Sequence, residues 1–336
     1  MFRRFSRSFL SLTGVAAVAL SLSACSVHWD YGHPILPEIS ADSVKLQELV
    51  ASEVRFAEAA QKVRDCKACQ PLLQQFVADS PARQQALGGV WNPWPQGIPQ
   101  GAPLPPGADL PAFSSSPAEL AEQLVTDGFN TLRILPQIES ASDRQLAASV
   151  SVTRIYTGIR LAQADGSWDQ LRAKLAADEH FFPTVDSFPE DAAQISLALR
   201  DWDCALQVMP AFTARATSAD LEVWHPRVRQ LSLQLEQNIS AALSLQVADK
   251  RLNSCVGASE AVAGKAPLPQ VLPRLFDQLL VSTALAVGES PQAGKSFSAQ
   301  LPQSSFAYAV LVELIAESEF PLGTALPGIV PAAPAK

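Results

Sequence analysis

Cysteines, histidines and a few paired carboxylates are the side chains best suited to chemistry in this sequence. It holds five Cys and four His in 336 residues. Cys66-Lys67-Ala68-Cys69 has the spacing of a redox site, in which one thiolate attacks and its neighbour resolves. That motif works in a βαβ setting, and no period-two strand pattern surrounds it, so the expectation is a local Cys66–Cys69 bridge capping a helix end. Cys204 and Cys255 then pair to tie two helices, although spacing alone leaves three pairings of these four cysteines open. Glu222-Val223-Trp224-His225 is the one Glu-x-x-His, the unit that ferritin-type di-metal centres take from a helix. Pro226 follows at once and biases His225 away from helical geometry. Glu222 and His225 are therefore expected not to share a helix face, with metal ligation by the pair as the alternative. Glu313 and Glu317 read as solvated-face carboxylates. His180 beside Phe181 and Phe182 reads as a packed loop residue, because an isolated imidazole lacks the orienting partners that catalysis needs. There is no nucleophile motif for a Ser-His-acid triad, no Gly-rich phosphate loop, no dinucleotide fingerprint and no EF-hand loop. The expectation is no catalytic residue, no metal and no cofactor.

The fifth cysteine, Cys25, carries an address. It closes Leu22-Ser23-Ala24-Cys25, behind a basic start (Arg3, Arg4, Arg7) and an apolar stretch from Phe9 to Leu22. That stretch has the length of a signal-peptide core and is short for a bilayer span. The pattern resembles the bacterial lipobox, which implies cleavage before Cys25 and acylation of its thiol. Two acyl chains anchor a protein stably. The expected location is the extracytoplasmic face of the cell membrane, an oxidising setting in which the remaining four cysteines pair. The net charge of −8 argues against a nucleic-acid partner, which would need a basic patch to neutralise phosphates.

The elements that must position these residues read as helices. Apolar stripes at helical spacing run from Asp42 to Arg64 (Leu46, Val50, Val54, Ala57, Ala60) and from Pro71 to Leu87, the latter expected to restart at Ser80-Pro81. Seven Pro between Pro93 and Pro111 make an extended strap. Ser116-Pro117-Ala118-Glu119 reads as a capping box opening a helix that stops at Pro136. Further helices are expected from Ser142 to Asp165, Trp168 to Ala177, Glu190 to Met209, Pro226 to Lys250, Pro273 to Val287 and Ser305 to Phe320. The tail from Pro321 is expected to be loose. On the stripe Ile195, Leu199, Trp202, Leu206, Met209, the indole of Trp202 faces inward.

Some of these residues carry a family resemblance. Ala198-Leu199-Arg200-Asp201-Trp202-Asp203-Cys204-Ala205-Leu206, running on to Ala214-Arg215, resembles the first helix of a ferritin-like domain of unknown function found in actinobacterial lipoproteins. His225-Pro226-Arg227-Val228-Arg229 is similar to its next helix, and Phe306 to Glu319 with Phe320-Pro321-Leu322-Gly323 to its close. The resemblance implies a ferritin-like C-terminal bundle. The family's Glu-His pair falls on Trp202 and Asp203, so the ligand set departs from the pattern.

The expected fold is all-α: two tandem antiparallel helical bundles, the second ferritin-like. Its parts are a signal peptide (1–24), a membrane-proximal tether (25–40, with His28 and His33), an N-terminal bundle (41–185, strap 91–115), a four-helix bundle (186–325) and a flexible tail (326–336). The expected function is a membrane-anchored, non-catalytic binding or scaffold protein of the cell envelope. Its partners would be membrane lipid through Cys25 and an envelope protein or small apolar ligand. A di-metal oxidoreductase is the alternative.

Overall fold

The structure, a computed structural model, describes residues 34–177, 193–214, 217–253, 255, 268–287 and 301–329. Among these the fold is all-α, with no strand. Nine α-helices are described: α1 (Ala41–Lys62), α2 (Gln70–Ala86), α3 (Pro117–Ile134), α4 (Ala141–Asp165), α5 (Trp168–Ala177), α6 (Ala193–Thr213), α7 (Ser218–Ser244), α8 (Leu268–Val287) and α9 (Leu301–Glu317). Glu38–Trp91 and the described residues from Pro106 on make one compact unit. Asn92–Pro105 groups with residues 34–37 in another, where the Trp94 indole donates to the Pro103 carbonyl at 3.4 Å. The Pro-rich stretch is non-helical.

Helix α4 is the axis of the larger unit. Its caps are orthodox: Ser140 Oγ accepts from the Asp143 N–H, and Gly166 takes the left-handed conformation at the far end, φ 83°. Asp42 on α1 accepts from the Glu139 and Ser140 N–H groups just before α4, and these bonds hold its carboxyl below the usual range. From Ala147 to Ala162 every α4 residue except Arg160 is buried, because α2, α3, α8 and α9 all pack against it. A helix buried all round needs no amphipathic stripe. Two glycines leave room at the α3–α4 crossing: a Cβ on Gly128 would lie 2.6 Å from Ile155 Cγ1, and one on Gly158 2.6 Å from Val125 Cγ2.

Four prolines expected at helix ends lie inside helices instead: Pro81 in α2, Pro210 in α6, Pro226 in α7 and Pro273 in α8. Each forfeits one backbone hydrogen bond. The buried face continues past three of them nonetheless, with Phe76 and Arg83 around Pro81, Trp224 and Val228 around Pro226, and Leu272 and Phe276 around Pro273. Tertiary burial outweighs the local penalty. Helix α7 accordingly starts eight residues ahead of Pro226, at a Thr217–Asp220 capping box. The capping box expected at Ser116 does not form: α3 begins there, but Glu119 accepts from Ser114 Oγ at 2.6 Å. Residues 321–329, expected to be loose, are packed: Leu322 and Leu326 lie on the core, and Gln145 donates to the Gly328 carbonyl at 3.1 Å.

Candidate functional site

Helix α1 places a carboxylate on its buried stripe, since Glu53 falls between Val50 and Ala57. Burying it is tolerable only with cations beside it. Arg83 from α2 supplies one, donating Nε to Glu53 Oε1 at 2.7 Å and Nη2 to the Phe76 carbonyl at 2.7 Å. Arg154 from α4 supplies the other, reaching Glu53 Oε2 at 3.3 Å, the Leu49 carbonyl at 2.9 Å, and Asp127 on α3. Glu53, Arg83 and Arg154 are all excluded from solvent. Phe76 and Phe56 stack near the two guanidinium groups, at 4.4 and 5.3 Å from the ring centroids.

Beside this cluster lies a cavity of about 380 Å³, within the size range of small-molecule sites. Helix α2 lines it with Gln75, Phe76, Asp79 and Arg83, α4 with Thr153, Tyr156 and Thr157, and the segment 321–325 closes it. One nitrogen of Arg83, Nη1, is buried and has no hydrogen-bond partner. The Tyr156 hydroxyl donates to the Phe320 carbonyl at 3.0 Å, and burial pushes its ionisation upward.

A second buried acid fastens the closing segment. Asp277 on α8 is 2% exposed and accepts from the Gly323 N–H at 3.0 Å and the Thr324 hydroxyl at 3.2 Å. Burial lifts its carboxyl to about 7, against those bonds and Arg274, which lower it. Gly323 is required here, because a Cβ would stand 2.9 Å from the Arg274 backbone nitrogen.

The residues singled out from the sequence lie elsewhere. Cys25, His28, His33 and His180 fall outside the described residues. Pro226 does not separate Glu222 from His225: both are on α7, three residues apart on one exposed face, opposite buried Trp224 and Val228. The pair therefore points to solvent rather than into a bundle centre. Glu313 and Glu317 are also exposed, with Gln234 donating to Glu317 Oε2 at 3.0 Å. Trp202 is buried, donating its indole N–H to Thr283 Oγ1 at 3.0 Å. Among the described residues, one group of three donors lies close enough to share an ion: Cys66, Cys69 and Asp165.

Cys66 and Cys69 are bonded to each other, as are Cys204 and Cys255. Cys255 lies beyond α7 in a non-helical segment, so the second bridge joins α6 to a loop rather than to a helix. In the chain-entropy picture that crosslink, spanning 51 residues, contributes about 4 kcal/mol. The Cys66–Cys69 bridge spans three and contributes about 2 kcal/mol by the same rule.

No family model, curated protein or solved structure matches this chain.

Proposed function

We propose that this chain is a lipid-anchored, extracytoplasmic helical protein that binds a small anionic molecule in the cavity between α2, α4 and residues 321–325. The observation that carries the reading is that Arg83, one of the residues lining the cavity, keeps a buried Nη1 with no hydrogen-bond partner. A buried charged donor without a partner costs about 1–3 kcal/mol or more, and a carboxylate or phosphate oxygen recovers it. Gln75, Thr153 and Thr324 line the same wall with their donors already engaged by Asp79, the Ser149 carbonyl and Asp277, so Arg83 is the group left to meet an anion. The lipobox at Cys25 supports the anchor. Among the described residues no helix is long and apolar enough to cross a membrane.

Titration calorimetry with succinate and with inorganic phosphate tests the ligand chemistry. Gln75 stands exposed at the cavity, so Gln75→Trp should block it without disturbing the core. Binding that is absent for both anions, or unchanged in Gln75→Trp, refutes the reading. The di-metal oxidoreductase gains no support from α6 and α7, where Trp202 fills the interior and Glu222 and His225 face outward.

A further inference from the structure

The connection between α1 and α2 carries a site separate from the cavity. Cys69 is the residue just before α2, and its N–H donates to Cys66 Sγ at 3.2 Å. Asp165, the last residue of α4, brings a carboxylate oxygen within 4.8 Å of both sulfurs. Cys69 is wholly buried, Cys66 keeps 7% exposure, and Lys67 and Ala68 between them are exposed.

We propose that Cys66–Cys69 is a redox-active couple that accepts two electrons from a polypeptide dithiol, with Cys66 the sulfur attacked and Asp165 setting how readily the couple is reduced. A thiolate of the incoming chain attacks Cys66 Sγ, the bond to Cys69 breaks, and its electron pair leaves on Cys69. The second thiolate attacks the incoming sulfur of this mixed disulfide, and the pair leaves on Cys66. The incoming chain departs as a disulfide, and the two protons given up by its thiols end on Cys66 and Cys69.

Each group fits its step. Both cysteines are buried, and of the two only Cys66 keeps any exposure, 7% of the residue beside exposed Lys67 and Ala68, so an incoming chain reaches Cys66 first. Cys69 leaves at the N-terminal end of a 17-residue helix, whose partial positive charge stabilises a thiolate and speeds its departure. The Cys69 N–H stabilises Cys66 when that sulfur leaves in turn. Asp165 works in the opposite sense. Its carboxylate, at the negative end of α4, raises the free energy of any thiolate beside it and draws the couple back toward the disulfide. As a staple this bridge contributes about half of what Cys204–Cys255 does, and stapling does not account for the N–H and the carboxylate set around its sulfurs.

The test is a redox titration of the purified full chain in detergent. Dithiothreitol at increasing ratios of reduced to oxidised form is quenched by alkylation and read by peptide mass spectrometry, with circular dichroism following the helices. Cys66–Cys69 should open with the helical signal intact, at reductant ratios about tenfold below those that open Cys204–Cys255. Asp165→Asn should lower the ratio needed by roughly three- to tenfold. Cys69→Ser should accumulate a mixed disulfide on Cys66 when given oxidised glutathione. Opening only once the helices are lost, or an Asp165→Asn titration that superimposes on the wild type, overturns the proposal. Both readings stand even if Cys69→Ser does not fold.

Discussion

Glu53 on α1 and Arg83 on α2 meet at 2.7 Å with neither side chain reaching solvent. The pair links the core to the cavity, since Arg83 is among the residues that line the latter. Removing one partner leaves an uncompensated buried charge, so Glu53→Ala should lose about 3–5 kcal/mol in urea unfolding. Replacing Glu53 and Arg83 together by Met should lose less than Glu53→Ala alone, because only Arg154 is left short of a partner, and it keeps Asp127.

Overpacking is the test of the α3–α4 crossing. A Cβ on Gly158 would lie 2.6 Å from Val125 Cγ2 and 2.7 Å from the Ala121 carbonyl oxygen, and the latter is backbone that cannot rotate away. Gly158→Ala would gain helix propensity in isolation, by about 1 kcal/mol. Here it should instead lose a net ~1–3 kcal/mol, read as a lower urea midpoint with an unchanged slope.

Asp277 makes stability depend on pH. Its carboxyl titrates at about 7 in the folded protein against an ordinary 3.8, so between these values the native state holds a proton that the unfolded state has released. Its contribution is full below the unfolded value, falls as pH rises through that window, and levels off above it. The span corresponds to a loss on the order of 4 kcal/mol. Asp277→Asn keeps the group neutral throughout. It should flatten this part of the profile in urea midpoints taken from about pH 4 to about pH 8.

The buried indole of Trp202 gives a direct check on the interior of the C-terminal helices. Trp202→Ala should cost about 3–5 kcal/mol as a large-to-small core change. Trp202→Phe retains most of the apolar volume and loses the bond to Thr283, for about 1–2 kcal/mol.

Cys25 is the anchor in the proposed function. Cys25→Ser should leave uncleaved precursor or release soluble protein, followed by fractionation and intact-mass measurement. A Ser variant that is matured and retained in the membrane like the wild type sinks the lipoprotein assignment.

Most helices were legible in the sequence because their apolar spacing is regular, as on α1 and around Trp202. Their ends were not, wherever a proline reads as punctuation. Pro226 and Pro273 each sit between buried apolar residues one turn apart, and that continuity is the signal that outranks the breaker. Glu53 was legible in principle, standing on the stripe between Val50 and Ala57, but residue type argues for solvent until its two arginines are seen. Those arginines come from helices 30 and 101 residues away in sequence. The cavity was not legible at all. It is made where α2, α4 and the segment after α9 converge, and only tertiary packing brings Phe76, Tyr156 and Gly323 together.

The seam along α4 has a consequence for how the molecule can be divided. The helices before residue 178 and those after 192 meet on this one rod, α2 and α3 covering part of it and α8 and α9 the rest. A chain severed between α5 and α6 would leave one fragment with an open apolar trough along α4 and the other with the ridge that fills it. Neither should persist as a monomer in water, yet co-expressed they should reassemble, so the protein is a candidate for split-reporter complementation with the break between residues 178 and 192.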